Sequence, residues 1–170
     1  MTASNRREKI LAILYEQEAP VSASSLAAQL GVSRQLIVGD IALLRAGGEA
    51  ITSTPRGYLH MRERPGLLRQ VACLHDAKDM AAELYAIVDN GCDVLDVVVE
   101  HPVYGQLTGQ LQLHSRYDVD QFIARVAGHD ARPLSALTDG VHLHTLYCPD
   151  ESAYQRAAAA LRGLGFLFEK

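Results

Sequence analysis

No window of this sequence approaches the roughly 18 apolar residues needed to span a membrane, and the charged start MTASNRREKI is not followed by the apolar stretch of a secretory signal. The expectation is a cytoplasmic protein with no membrane partner. Cysteine is scarce: Cys73, Cys92 and Cys148 are odd in number and form no CxxC pair, which argues against both a disulfide framework and a thiolate zinc knuckle. All three are expected to be small buried apolar residues. Nor is there a GxGxxG, a Walker loop, a GxSxG or an HExxH, so nothing marks a dinucleotide, triphosphate, serine-hydrolase or zincin site. A strong charge of either sign is missing as well, since the net charge is −4 on 170 residues. That balance hides an asymmetry. Residues 1–64 carry eight basic against six acidic side chains, and residues 65–170 carry eight against fourteen. A mildly basic front on an acidic back suggests a polyanion-binding module joined to something else.

What is present, with 48% hydrophobic residues, is ample material for one sizeable core or two small ones. From Asn5 to Gln17 the residues Ile10, Leu11, Ile13 and Leu14 fall at helical spacing, and Ala19-Pro20 closes the segment. A short helix follows, capped by Ser22 or Ser24 and carrying Leu26, Ala27 and Leu30 on one face; then come a turn at Gly31 and a longer helix capped by Ser33. Ala27 is small where two helices cross, and Ile37, Ile41 and Leu44 form the buried stripe of the longer helix. EAITSTPRGYLH reads as two short strands around Pro55-Arg56-Gly57, a hairpin wing with a basic tip. Together these make a winged helix-turn-helix. A three-helix bundle with a hairpin that serves only as a protein contact is the plainer alternative. Against it stand Arg34, Gln35 and Val38, opposite the buried stripe, with Ser33 at the helix N-terminus: Arg and Gln read guanine and adenine edges, and a helix N-terminus suits phosphate. Gly39 is unexpected on that face.

MRERPGLL, charge-rich and marked by Pro-Gly, separates two differently patterned halves, with the domain boundary placed between residues 62 and 63. Beyond it RQVACLH, CDVLDVVVE, GQLTGQLQL, GVHLHTLY and FLFEK read as strands, and DAKDMAAELYAIVDN, YDVDQFIARVAG and ESAYQRAAAALRGL as helices. The expected order βαββαβαβ makes an α+β domain with a mostly antiparallel sheet and helices on one face.

Histidine is in excess in this half. His114 and His129 sit in polar, loop-like settings and read as surface residues, as does His60 at the end of the wing. His142 and His144 differ, because alternate residues of a strand share one face and two imidazoles there form a natural bidentate metal site. In LHDAKDMAAELY, His75 ends a strand, Asp76 caps the next helix, Asp79 lies halfway along and Glu83 lies two turns on, so that His75 and Glu83 can complete a site. Nitrogen and carboxylate donors without thiolate favour nickel, zinc, cobalt or iron over calcium or magnesium.

The winged helix GVSRQLIVGDIALLRAGG with ITSTPRGY, followed by LHDAKDMAAELY, VVVEHPVYGQL and PLSALTDGVHLHT, resembles the nicotinate-responsive repressors of bacterial NAD-biosynthesis and niacin-uptake genes, the NiaR family, over nearly the whole chain. That resemblance implies an operator-binding winged helix over 1–62 and a metal-binding 3H domain over 63–170, with nicotinic acid as co-repressor. Carried over by motif, the metal ligands are His75, Glu83, His142 and His144, with His101 of HPVYG nearby. The ion is nickel or zinc first, iron or cobalt next. Arg116, Thr138, Thr145 or a backbone amide are candidates for the ligand carboxylate, and Ser33, Arg34, Gln35, Val38 and Arg56 for DNA. A homodimer on double-stranded operator DNA is expected, because one half-site rarely gives adequate affinity. Gly39 departs from the polar residue expected in such a recognition helix. Two other readings are a regulator for which the metal itself is the signal, and a metal-dependent hydrolase with His101 or Asp79 as base.

Overall fold

The computed structural model describes residues 2–61 and 65–169. The chain divides into two compact units, Met1–Glu63 and Arg64–Lys170. The boundary expected between residues 62 and 63 lies outside the described residues.

In the first unit, α1 (Ala3–Glu16), α2 (Ala23–Leu30) and α3 (Arg34–Ala46) pack Ile10, Leu14, Leu26, Ala27, Ile37, Ile41 and Leu44 into one core. Ser22, not Ser24, caps α2 by accepting from the Ser25 N–H, and Gly31 closes it in the left-handed conformation at φ 64°. Ser33 caps α3 by accepting from the Leu36 N–H. Strands β1 (Ile51–Thr54) and β2 (Gly57–His60) form the antiparallel wing, and Val21 bridges to Tyr58 as a third, one-residue rung. A feature without a sequence signal ties the unit together: Asp40, buried on α3, accepts from Arg6 on α1, with Arg7 at 3.6 Å.

The second unit runs β3 (Leu67–Leu74), a 3-10 turn (Ala77–Asp79), α4 (Met80–Val88), β4 (Asp93–His101), β5 (Gly105–Leu113), α5 (Arg116–Gly128), a second 3-10 turn (Leu134–Thr138), β6 (Val141–Cys148) and α6 (Glu151–Gly163). The four strands lie in the order β3-β6-β4-β5 and every pairing is antiparallel. One face of the sheet, with Val71, Val94, Leu113 and Leu146, packs against Leu84 and Ile87 of α4, Val119 of α5, and Ala153, Ala157 and Leu161 of α6.

Three expectations are corrected here. The terminal segment FLFEK forms no strand within its described residues: Leu167 makes an isolated bridge to Cys73, flanked by bonds from the Leu74 N–H to Phe166 and from the Phe168 N–H to Ala72. Asp76 makes no side-chain cap. The chain passes through the 3-10 turn before α4 begins at Met80, which places Glu83 in the first turn of that helix. The cysteines are all buried, but Cys92 and Cys148 form a disulfide. They lie 56 residues apart in sequence, and their proximity, 4.5 Å between Cα atoms, exists only because β4 and β6 are neighbours. Among the described residues, no helix is long and apolar enough to cross a membrane.

Candidate metal centre and nucleic-acid face

Alternation along β6 puts His142, His144, Leu146 and Cys148 on the buried face of the sheet. His142 stands beside Cys73 of β3 in the antiparallel register, and His75 follows two residues beyond Cys73. Above them, α4 lowers Glu83 onto the strand pair. Its carboxylate is 1% exposed and is met by three imidazoles: Oε2 lies 2.8 Å from His75 Nε2 and 3.3 Å from His144 Nε2, and Oε1 lies 2.9 Å from His142 Nε2. Phe166, from the C-terminal segment, covers the His75 ring at 4.8 Å between centroids.

The other nitrogen of each ring decides the chemistry. Nδ1 of His75 lies 2.9 Å from the Asp76 carbonyl, that of His142 lies 2.8 Å from Gly140 O, and that of His144 lies 2.6 Å from Asp96 O. A carbonyl oxygen only accepts, so each Nδ1 carries the proton and donates it. The Asp96 carbonyl is free for this role because the β4–β6 register shifts between Val94 and Val98, where the Asp96 carboxylate also takes the Thr145 N–H at 3.0 Å. In their neutral form, then, all three rings present an Nε2 lone pair to a carboxylate that itself only accepts. Lone pairs facing lone pairs in a buried space require positive charge among them.

Protons could supply part of that charge. Burial pulls the His144 pKa down, but the Glu83 charge and hydrogen bond and the Asp96 carbonyl outweigh it, so it rises; His75 rises for the same balance of causes. Burial likewise favours protonated Glu83, yet the charge of His144 and the close approach of the three imidazoles, with His142 in hydrogen-bond contact, hold its carboxyl well below the usual range. Satisfying every contact this way takes three imidazolium ions around one carboxylate, whose mutual repulsion a single divalent ion avoids. Among the described residues, the donor atoms that all lie within 4.8 Å of one another are those of Cys73, Glu83 and His142.

The remaining sequence candidates lie elsewhere. His101 ends β4 at the hairpin, where its Nδ1 accepts from the N–H groups of Val103 and Tyr104 at 3.2 and 3.3 Å. Its neutral tautomer is therefore the reverse of that in the cluster. Arg116 grips Asp89 at the far end of α4 through bonds of 2.7 and 2.5 Å and lies over the Tyr85 ring. Thr138 donates to Val141 O at 2.5 Å. Thr145 faces the opposite side of the sheet from the imidazoles and accepts from Gln70 Nε2 at 3.4 Å. His114 lies 2.8 Å from Asp93, and His129 Nδ1 donates to Arg125 O. Beside His75, between residues 75–77 and the segment holding Ser135, Ala136, Asp139 and Gly140, lies a cleft of about 390 Å³. Sequence reasoning passed over Cys73, although its spacing to His75 repeats that of His142 to His144.

In the first unit, Ser33, Arg34 and Gln35 are exposed at the start of α3, and so is Leu36, which the sequence reading did not single out. Val38 does not project freely. It packs partly against the core, because it lies one residue beyond the buried Ile37. Arg56 is half-buried, not a free basic tip: the two-residue turn folds it back toward Pro20, Ser22 and Gln29.

Comparison with known proteins accounts for both units. Residues 68–170 match the 3H domain family and residues 6–59 an HTH domain family. The chain is 42% identical over 173 residues to the transcription repressor NadR of Bacillus subtilis (strain 168), covering 99% of this chain and 96% of that protein. It is also 42% identical over 165 residues to the probable transcription repressor NiaR of Thermotoga maritima, covering 97% of this chain and 94% of that one. With both domain families matched in this order and 42% identity to each repressor over nearly the whole chain, the chain belongs to this NadR/NiaR family of transcription repressors, an HTH domain followed by a 3H domain.

Proposed function

We propose that this repressor controls genes of NAD biosynthesis or niacin uptake, working in the cytoplasm as a homodimer on operator DNA with nicotinic acid as co-repressor. In this reading His75, Glu83, His142 and His144 hold a divalent transition metal, nickel or zinc before iron or cobalt. One observation carries it: three Nε2 lone pairs, each oriented by an Nδ1–H bond to a backbone carbonyl, converge on one buried carboxylate. Orientation of imidazole by its distal nitrogen is the usual support of a metal-ligating histidine. When bound, such an ion offers a Lewis-acidic position that a pyridine nitrogen can occupy.

The adjoining cleft supports the same reading by its charge. Asp76 and Asp139 line it and, among the described residues, no Lys or Arg does, so an anionic ligand entering there relies on a cation at the histidine cluster and on backbone amides. Its volume suits a single aromatic ring with one substituent.

The test is operator binding with and without nicotinate, in metal-loaded and chelated protein. Couplings between sites are typically about 1–3 kcal/mol, or roughly 5–150-fold. A nicotinate-dependent gain in that range, lost on chelation, is expected. By reciprocity, operator DNA should tighten nicotinate binding by the same factor. Metal-dependent binding that ignores nicotinate would instead make the ion the signal.

A further inference from the structure

Cys73 is the one member of the cluster that the family motifs did not single out. It is fully buried, stands directly across from His142 in the β3–β6 register, and lies two residues before His75 on the same face. One donor atom each from Cys73, Glu83 and His142 lies within 4.8 Å of the others. The thiol is not packed among carbon atoms alone, since the Glu83 carboxylate and the His142 imidazole are its neighbours. Cys73 is also the free cysteine, since Cys92 and Cys148 are bridged to each other.

We infer that Cys73 Sγ is a further ligand of the metal bound by His75, Glu83, His142 and His144, making the centre a mixed nitrogen, oxygen and sulfur site. This rests on the metal reading proposed above and adds a donor to it. On loading, the S–H bond breaks, its proton passes to bulk water, and the sulfur electron pair forms the bond to the ion. No oxidant or reductant is involved. The consequence is selectivity: a thiolate favours soft and borderline ions such as zinc, cobalt and nickel, whereas imidazole and carboxylate alone discriminate less strongly against manganese or magnesium.

The experiment uses the full chain, stripped with chelator and titrated with cobalt(II). Thiolate coordination gives a sulfur-to-cobalt charge-transfer band in the near ultraviolet, while nitrogen and oxygen donors give only weaker visible bands. The wild type is expected to show the charge-transfer band, and Cys73→Ser and Cys73→Ala are expected to lose it while still binding one cobalt on the histidines. Zinc should displace manganese less completely from both variants than from the wild type. Cobalt bound by the wild type without the charge-transfer band would overturn the ligand role of Cys73 and leave the histidine site standing. A band that persists in Cys73→Ser would overturn it too. No cobalt binding by the wild type would overturn the metal reading itself.

Discussion

A Cβ placed on Gly140 would lie 2.6 Å from the carbonyl oxygen of His75. Gly140 also adopts φ +92°, a backbone conformation that L side chains rarely take. The missing side chain lets the start of β6 approach the end of β3, and the Gly140 carbonyl is the acceptor that orients His142. Gly140→Ala should therefore lower metal content and cost on the order of 1–3 kcal/mol of stability. Elemental analysis and thermal unfolding of the chelated protein measure the two effects. Unchanged metal content would mean that the two rings are oriented independently of this approach.

For the metal itself, His142→Ala and His144→Ala should each sharply reduce the ion content of protein purified without chelator, whereas His114→Ala and His129→Ala should not. The two control histidines have other partners, Asp93 and the Arg125 carbonyl. Equal content in all four variants would return the paired histidines of β6 to a purely structural role.

At the start of α3, Arg34→Ala and Gln35→Ala should each weaken operator binding by about 1–3 kcal/mol, since each removes an exposed side chain suited to a base edge. Arg56→Ala should have a smaller and less sequence-selective effect, because that side chain is half-buried against the α1–α2 connection. Unaltered affinity in both α3 variants, measured by fluorescence anisotropy on the native operator, would mean that another face reads the DNA.

Gly39 lies inside α3, exposed, and an added Cβ would meet nothing within 4 Å. Gly39→Ala should thus stabilise the protein by about 0.4–1 kcal/mol, because alanine restricts the unfolded chain without strain in the helix. Operator affinity should fall at the same time, if the glycine is kept so that the helix can approach the DNA closely. A higher Tm with unchanged affinity would make the residue simply tolerated.

Most of the order of elements, the Ser33 cap and the core stripe of the first unit were legible in the chain, because helix and strand periodicity, capping serines and turn glycines are local properties; the Asp76 cap and a terminal strand were not formed. The pairing of His142 with His144 on one face was legible for the same reason: it follows from a period of two. What the sequence could not show was the antiparallel neighbourhood of β3 and β6. That neighbourhood sets Cys73 beside His142 and brings His75 within reach, and it cannot be read from residues separated by about seventy positions. The Cys92–Cys148 bridge, the Arg6–Asp40 ion pair and the engagement of Arg116 by Asp89 escaped for the same reason. Each depends on which elements become neighbours, and that is settled by burying whole faces of helix and sheet together. The residue types able to hold an ion were thus determined by the sequence, whereas their convergence on one carboxylate, with every distal nitrogen tied to a carbonyl, was decided only by the tertiary fold.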